Sequence, residues 1–358
     1  INSDVFQVYS QACSGTILGV AVDLGTTTVV AKLIDMTTGQ CLATEASLNP
    51  QTRFGDDVIS RIAYAETADK AAELHRTIVD CLNDLIDKLC RIAGAETDRI
   101  CEVCIVGNTT MSHIFLELPV SQLGQAPYKA HSLDAYDLPG ADSILRINPA
   151  GNIHTVENIA GFVGSDTTAV ALATDMDSAD KMTLIVDVGT NGELVLGTKD
   201  KLYAASCAAG PAFEGARIGQ GGRAVDGAIE AVVVNDDDID LDVIGGGIPR
   251  SICGSGLIDA VAVLLELGVM DATGRFAEQA QLTEKLPPAI ASRIVDRNGQ
   301  PAFRLTSAES ADEQPVLLTQ RDIRETQLAK AAIRAGIRLL QQKAGLDDSG
   351  IEQILLAG

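Results

Sequence analysis

The chain has 358 residues, of which 46% are hydrophobic, enough to form two or three domains with buried cores. It carries 27 lysines and arginines against 49 aspartates and glutamates, so its formal net charge is −22. This acidic balance argues against nucleic acid or an anionic membrane surface as partner. The sequence contains no long apolar run and no signal-peptide pattern, so we expect a cytoplasmic protein. Its eight cysteines lie mostly in apolar segments, as Cys104 and Cys207 do, and are expected to be reduced and buried.

The first predicted element is a β-hairpin at residues 19–34. It follows a stretch without periodicity, residues 1–15, that we interpret as the remnant of an upstream domain or a linker. Val20–Val22 and Val29–Leu33 are apolar and rich in β-branched residues, which favours strands. The turn between them combines a glycine, hydroxyl donors and a carboxylate, a set that suits a nucleotide phosphate and a hydrated divalent cation. These turn residues are Asp23, Gly25, Thr26, Thr27 and Thr28.

Several elements are predicted between this hairpin and residue 100. In chain order they are a strand at Cys41–Ala46, a polar turn at Asn49–Asp57, a helix that begins at Val58 behind Asp56 or Asp57, and an amphipathic helix at Ala71–Ala93 that Gly94 ends. Two interpretations of Asn49, Gln51 and Arg61 stay open. They belong to a capped helix and the loop before it, or they lie near a ligand cleft or a partner surface.

A strand that contains Cys101 and Cys104 leads into Gly107–Thr110 and then a helix at Met111–Leu118. The Cys-x-x-Cys pair has no further ligands nearby in the sequence, so buried strand cysteines are favoured over a metal or redox site. Asn108 and the threonine after it either reach the cleft or cap the helix. His113 is interpreted as packed or solvated rather than catalytic.

The stretch at residues 119–148 is richer in proline, glycine, tyrosine and aspartate, with weak periodicity. It predicts an insertion or an irregular subdomain, which serves either as a partner-docking surface or as an ordinary connector. A helix of small residues follows at Thr167–Thr174. Gly161 and Gly164 before it permit close helix contact across a hinge, or simply form a loop that precedes the helix.

A second copy of the first hairpin occupies residues 183–197, with the same order of strand, Asp-x-Gly-Thr turn and strand. Its turn contains Asp187, Gly189, Thr190, Asn191 and Gly192. One such turn alone is typical of an ordinary hairpin, because aspartate and glycine are common in turns. Two matched copies about one domain length apart predict a duplicated fold whose phosphate turns face each other across a cleft.

Beyond the second hairpin lies a glycine-rich segment, Ser206–Gly222, which includes Gly210 and Glu214. We favour cleft lining for this segment over a mobile lid or a tight structural crossing. Further elements are two strands within Ile229–Ile244 joined by an acidic turn, a helix at Leu257–Leu267 opened by Cys253-Gly-Ser-Gly256, and a loose hairpin excursion at Asp271–Gln314. The glycines of Cys253–Gly256 either expose N–H groups to an anion or allow close packing.

A long helix is predicted at Thr319–Ala344. Its buried side is expected to carry Ile323, Leu328, Ala332, Ile333, Ile337 and Leu340. Gln327 and Lys330 lie three residues apart and so share a face, which by default is exposed to solvent.

The two hairpins resemble those of the actin, sugar kinase and Hsp70 superfamily, whose two phosphate loops straddle ATP between duplicated RNase H-like lobes. Six further segments narrow the resemblance to the ATP-dependent reductive activators of corrinoid proteins, and the likeness runs from about Gly19 to the last residue. These segments are Asn49–Arg61, Val106–Met111, Asn158–Asp166, Ala209–Gly215, Ile252–Asp259 and Leu318–Lys330. The implied fold is α/β, with a first lobe at residues 16–160 that has an insertion near 119–150, and a second lobe at 161–358.

The resemblance implies an ATPase that drives a corrinoid protein from Co(II) to Co(I), with a corrinoid iron–sulfur protein or a methyltransferase corrinoid subunit as partner. The implied cofactors are ATP and Mg²⁺, while a [2Fe-2S] cluster belongs to an N-terminal domain whose clustered cysteines are not in this sequence. A symmetric homodimer is expected from the resemblance and from base rates. The implied metal-organising and catalytic residues are Asp23 and Asp187, and ATP is held by the other turn residues with Gly210, Glu214, Gln327 and Lys330.

The last predicted strand, Ile354–Gly358, is not followed by the loop that closes over adenosine in the resembled proteins, so weaker nucleotide binding by this polypeptide is expected. Three alternatives stay open. One is a phosphotransferase of the same fold, with Asp187 or Glu193 as general base. The others are an ATP-coupled activator of another low-potential redox enzyme and a binding protein that does not hydrolyse ATP.

Overall fold

The computed structural model describes residues 16–277, 286–306 and 315–358. These residues divide into two compact units. Unit 1 comprises the described residues up to Ile185 together with Val195–Ala205 and Ile351–Gln353, and unit 2 comprises the described residues of Val186–Leu194, Ser206–Gly350 and Ile354–Gly358. Within the described ranges, no helix is both long enough and apolar enough to cross a membrane.

Unit 1 is built on a six-stranded mixed sheet with the order β3-β2-β1-β4-β6-β5. Its strands are β1 (Leu18–Leu24), β2 (Thr28–Asp35), β3 (Cys41–Leu48), β4 (Ile100–Gly107), β5 (Tyr136–Pro139) and β6 (Asn152–Thr155). Strand β1 pairs antiparallel with β2 and parallel with β4, so it lies at the centre of the sheet. The predicted first hairpin and third strand are therefore confirmed. The weak periodicity of residues 119–148 did not predict strand β5.

Four helices accompany this sheet: α1 (Val58–Tyr64), α2 (Ala68–Ala93), α3 (Thr109–Phe115) and α4 (Ser165–Ala173). Helix α2 supplies most of the helical side of the core, because its apolar residues recur every three or four positions. As predicted, Asp57 caps α1 through the Ser60 N–H, and Gly94 ends α2 in the left-handed conformation.

The second hairpin consists of β7 (Thr183–Val188) and β8 (Gly192–Thr198), in a four-stranded sheet of order β16-β7-β8-β9. The other strands of this sheet are β9 (Lys201–Cys207) and β16 (Gln353–Ala357). Two three-stranded sheets follow, β11-β10-β12 and β13-β14-β15. Their strands are β10 (Ala228–Asn235), β11 (Asp238–Val243), β12 (Ser251–Ile252), β13 (Ile294–Arg297), β14 (Gln300–Arg304) and β15 (Leu317–Thr319).

The described residues of this part of the chain form three helices: α5 (Gly254–Glu266), α6 (Pro288–Ser292) and α7 (Gln320–Ala344). Helix α7 starts with a capping box in which Thr319 and Asp322 satisfy each other's backbone N–H groups. The predicted excursion at Asp271–Gln314 contains the hairpin β13–β14, and its residues 278–285 and 307–314 lie outside the described residues. So do residues 1–15.

One prediction of burial is wrong and another holds only in part. Leu328 was expected on the buried side of α7 but is 64% exposed. It lies five positions after the buried Ile323, which on a helix places it about 140° around the axis. The cysteines are also less uniformly buried than expected, since Cys41 is exposed and Cys104 and Cys207 are only partly buried. Each of these three stands near a strand end or on a half-covered sheet face.

The turn between β10 and β11 is tied to the rest of unit 2 by an ion pair. Arg293 is 7% exposed, and its guanidinium donates to both carboxylate oxygens of Asp238, at 2.5 and 2.9 Å. The same guanidinium donates to the Leu305 carbonyl at 2.6 Å. Hydrogen bonding from Arg293 lowers the pKa of Asp238 below its ordinary value. The pair therefore stabilises the fold at neutral pH and loses that contribution as the pH falls through the lowered pKa.

We expect Asp238→Asn to lower the free energy of unfolding at pH 7 by about 1–3 kcal/mol, because it leaves a buried guanidinium without its counter-charge while the partly exposed carboxylate limits the loss. Urea denaturation followed by circular dichroism measures the difference. Asp237→Asn, which removes the neighbouring exposed carboxylate, is the matched control and should have little effect. The gap between wild type and Asp238→Asn should narrow on acidification below the ordinary value of 3.8. A gap that stays constant down to pH 2 would contradict this assignment.

Candidate functional site

The first Asp-x-Gly-Thr turn joins β1 to β2 at the centre of the unit 1 sheet. Asp23 lies near the end of β1 and is exposed, while Gly25, Thr26, Thr27 and Thr28 are partly buried. Gly25 packs so closely that a β-carbon there would clash with the Thr28 carbonyl oxygen. The Asp-x-Gly-Thr sequence therefore forms a tight turn here, in which the position of Gly25 accepts only glycine.

Three consecutive carbonyl groups of this turn are held by donors from the segment that follows β3. The Asn49 side chain donates to the Gly25 carbonyl at 2.9 Å, and the Asn49 backbone N–H donates to the Thr27 carbonyl at 2.8 Å. The Arg61 guanidinium donates to the Thr26 carbonyl at 2.5 Å. In a planar trans peptide the N–H points opposite to the C=O. The N–H groups of residues 26–28 therefore point away from these donors, an arrangement typical of an anion-binding turn.

Arg61 is the largest fully buried side chain of the described residues, with 0% exposure. Besides Thr26 it donates to the Gly55 carbonyl at 3.0 Å and to the Gln51 side chain at 3.3 Å. Burial lowers the pKa of Arg61 to about 10, so the guanidinium is still charged at neutral pH. Asn49 and Gln51 are also 0% exposed. Of the two interpretations of this segment, the structure favours structural support: all three side chains lie behind the turn, not on a partner surface.

Asn108 contacts the same turn from the end of β4. Its side-chain oxygen caps helix α3 through the Met111 N–H at 3.0 Å, and its amide nitrogen donates to the Thr26 hydroxyl at 2.8 Å. The predicted helix cap is therefore present, and the same side chain also contacts the first turn. The backbone of Gly164 packs directly against Gly107 and Asn108, where a β-carbon on Gly164 would clash with their backbone atoms.

Helix α3 also anchors two surface loops. The Thr109 hydroxyl donates to the Ala160 carbonyl at 2.6 Å. His113 is buried, and its Nε2 accepts the N–H groups of His131 and Ser132, so its Nδ1 carries the proton that is donated to the Thr109 carbonyl. Burial lowers the pKa of His113, which keeps the ring neutral. Of the two interpretations of His113, packed or solvated, the structure confirms the packed one.

The second Asp-x-Gly-Thr turn joins β7 to β8 and has different supports. The Thr190 carbonyl accepts the Gly210 N–H at 3.0 Å, and the Gly192 carbonyl accepts the Cys207 thiol at 3.0 Å. The Thr190 hydroxyl donates to the Glu214 carboxylate at 2.5 Å. Gly210 has a φ of 82°, a conformation that favours glycine. The turn is therefore held by the start of the glycine-rich segment.

Carboxylates surround this second turn. Asp187 is partly buried, and burial raises its pKa, so its charged form lacks full compensation by the protein. Glu193 accepts the Ser206 hydroxyl at 3.0 Å. A carboxylate in the state of Asp187 fits a role in holding a cation or its waters, because a nearby positive charge would offset the cost of its desolvation. Among the described residues, no three or more His, Cys, Asp or Glu side chains form a group that could hold a metal.

The remainder of the glycine-rich segment forms a tight crossing. A β-carbon on Gly215 would clash with the backbone of Gly222, and one on Gly221 would clash with that of Gly215. The buried Asp322 carboxylate accepts the Gly219 N–H at 2.7 Å and also caps α7. Of the alternatives for this segment, close structural packing is present at these glycines.

Gln327 and Lys330 lie on α7, away from any described contact with the turns. The Gln327 amide donates to the Thr273 carbonyl at 2.9 Å and packs against Gly274, whereas Lys330 is exposed. Ile333, one helical turn after Lys330, lies beside Gly192 of the second turn.

Sequence reasoning missed the supporting role of two residues. Arg61 was considered as part of a capped helix or as a residue near a cleft or a partner surface, not as a support of the turn. The available signal was a lone arginine among apolar residues at the start of α1. Asp322 was not singled out, although the Thr-x-x-Asp pattern at residues 319–322 is a recognisable helix start. The roles of both residues depend on contacts with residues distant in the chain, Thr26 for Arg61 and Gly219 for Asp322.

The chain is a mixed α/β protein with two hairpins whose turns contain glycine and join apolar strands. It belongs to the ASKHA class of actin, sugar kinase and Hsp70 proteins. More narrowly, the chain belongs to the RACo family. Residues 18–179 match the model of the RACo middle region, and residues 181–358 match that of the C-terminal domain of RACo, the ASKHA domain.

Three relatives resemble the chain over nearly all of its length. The corrinoid activation enzyme RamQ of Eubacterium limosum is 42% identical over 344 residues, which cover 96% of this chain and 57% of RamQ. A reductase of Methanosarcina barkeri, named for a Co(II) methylated amine-specific corrinoid protein, is 24% identical to this chain. The matched region covers 95% of this chain and 62% of the reductase. The solved structure of a reductive activator for a corrinoid, iron–sulfur protein matches with a TM-score of 0.84 and 38% identity. This match covers 97% of this chain and 54% of the activator. The chain thus spans little more than half the length of these relatives.

The equivalent glycines of the two turns should respond differently to alanine. We expect Gly25→Ala to lower the free energy of unfolding by about 1–3 kcal/mol, since the added methyl group collides with the Thr28 carbonyl. Gly189→Ala should change it by less than about 1 kcal/mol, because the nearest atom would be the Asn191 carbonyl oxygen at 3.5 Å. Urea unfolding of both variants tests this contrast. Equal losses would show that the first turn is not the more constrained of the two.

Proposed function

We propose that the protein acts in the ATP-dependent reductive activation of a corrinoid protein, in which cobalt passes from Co(II) to Co(I). The observation that carries the nucleotide part of this proposal is the first turn. Its three carbonyl groups are held from behind by Asn49 and Arg61, and its N–H groups point the other way. The corrinoid part rests on membership of the RACo family and on the relatives named above.

Each turn is proposed as a phosphate-binding element of its own unit. In the first, the N–H groups of residues 26–28 and the threonine hydroxyls donate to phosphate oxygens. In the second, the Asn191 N–H points opposite to the Thr190 carbonyl, which Gly210 holds, and is aimed for the same task. Asp23 and Asp187 are the residues that would hold Mg²⁺ or its waters. Bound Mg²⁺ supplies charge neutralisation of the phosphates.

The proposed reaction moves one electron. The electron would come from a reduced iron–sulfur centre outside the 358-residue sequence, which would be oxidised as Co(II) of the partner is reduced to Co(I). ATP hydrolysis makes this uphill transfer favourable by changing the conformation in which the partner is bound. The partner class is a corrinoid iron–sulfur protein or a methyltransferase corrinoid subunit.

The decisive experiment is a visible spectrum of a Co(II) corrinoid protein mixed anaerobically with the full-length protein and a reductant, with and without Mg-ATP. We expect the Co(I) band only with Mg-ATP. If several corrinoid partners give no ATP-dependent change, corrinoid activation is the wrong assignment. Phosphorylation of a small molecule under the same conditions would then favour a kinase, with Asp187 or Glu193 as base.

We expect Asp187→Ala to slow the ATP-dependent appearance of Co(I) by about tenfold or more, because it removes a carboxylate that organises the metal. Asp200→Ala, in the exposed turn after β8, is the matched control and should leave the rate unchanged. The rate is read from the Co(I) absorbance over time. Reduction at an unaltered rate in Asp187→Ala would exclude this residue from the nucleotide site.

A further inference from the structure

The buried guanidinium of Arg61 is the feature of this fold that packing alone does not account for. We propose that Arg61 is a positioning residue for nucleotide binding, which sets the first phosphate turn through the Thr26 carbonyl without touching the nucleotide. This inference rests on the proposed function. It assigns to the Asn49–Arg61 segment a role that links the core of unit 1 to phosphate recognition.

The hydrogen bonds of Arg61 show how it can do this. One edge of the planar guanidinium donates to the Thr26 carbonyl at 2.5 Å, while Nε donates to Gly55 at 3.0 Å and Nη1 to Gln51 at 3.3 Å. Gln51 is itself fixed, because its amide nitrogen donates to the Leu74 carbonyl of α2 at 2.9 Å. The rigid fork of Arg61 therefore connects the turn to helix α2 through fixed partners. The peptide plane between residues 26 and 27 is held in one orientation.

The energetic cost of this arrangement also argues for a role beyond packing. Arg61 is fully buried, and of the residues that the structure describes, none places a carboxylate within salt-bridge distance of it. The charges of Asp56 and Asp57 act on Arg61 but form no salt bridge with it. Burying an ion without a salt-bridged counter-charge is costly, and well-packed apolar residues often stabilise such positions better. An apolar side chain would fill the space but could not hold the Thr26 carbonyl. Compared with an apolar side chain, the guanidinium therefore lowers the stability of the fold but fixes the conformation of the turn.

Lysine should replace arginine only in part. Its ammonium group is a compact charge that can reach the Thr26 carbonyl but cannot span the Gly55 and Gln51 acceptors in one plane. Glutamine lacks both the charge and the reach. The expected order of nucleotide affinity is therefore wild type, then Arg61→Lys, then Arg61→Gln.

The test measures, in the full-length protein, the rise in melting temperature caused by Mg-ATP and the Kd for Mg-ATP by calorimetry. We expect Arg61→Gln to weaken binding by about tenfold or more and Arg61→Lys to give an intermediate Kd. Two controls separate positioning from general stability. Leu82→Ala removes core packing on α2 in the same unit, so it should lower the melting temperature yet keep the ATP-dependent rise. Arg53→Gln changes an exposed arginine of the same segment and should bind like wild type.

Each outcome decides one question. If wild type itself shows neither Mg-ATP binding nor a rise in melting temperature, the proposed function fails before Arg61 is tested. If wild type binds Mg-ATP and both Arg61 variants bind it as tightly as wild type, the positioning role is refuted while the proposed function stands. The same holds if Leu82→Ala loses as much affinity as Arg61→Gln, since the effect then reflects stability alone. Should Arg61→Gln not fold, Arg61→Lys carries the comparison with wild type.

Discussion

A tight turn that ends buried strands must give each of its carbonyl groups a hydrogen-bond donor, and in unit 1 this constraint organises the structure around the turn. Gly25, Thr26 and Thr27 present three carbonyl oxygens toward the protein, where water is excluded. Asn49 and Arg61 supply the donors. Because peptide groups are planar, satisfying the carbonyls on one side also fixes where the N–H groups point on the other. The anion-binding character of the turn is thus a consequence of how its back is supported.

The second turn meets the same constraint with different chemistry. Its carbonyls accept the backbone N–H of Gly210 and the thiol of Cys207, and its threonine hydroxyl is engaged by Glu214. No charged donor takes the place of Arg61 among these described contacts. The identical Asp-x-Gly-Thr sequences therefore specify the hairpin alone, while the residues that fix each turn come from elsewhere in the respective unit. The difference extends to the glycines, of which Gly25 is sterically required and Gly189 is not.

Local patterns predicted the elements that make the turns but not the contacts that hold them. Both hairpins, the N-terminal cap of α1 at Asp57 and the end of α2 at Gly94 follow from apolar periodicity and from capping residues that act within a few positions. Leu328 was misplaced because a hydrophobic residue on a long helix was assigned to the core without the angular test that its spacing from Ile323 fails. The burial of Arg61 had only a weak local signature, an arginine among the apolar residues of α1. Its partners at Thr26 and Gln51 are brought to it by strand pairing and by α2.

Helix α3 shows how the first turn is joined to the surface of unit 1. Within its first turn and the residue before it, Asn108 holds Thr26 and Thr109 holds the loop at Ala160. One helical turn later, the neutral ring of His113 holds the loop at residues 131–132. A short helix with every residue buried has little freedom to rotate without breaking these bonds. The position of the Thr26 hydroxyl and the positions of both loops are therefore set by the same rigid element, which makes the phosphate turn part of a connected network and not an isolated loop.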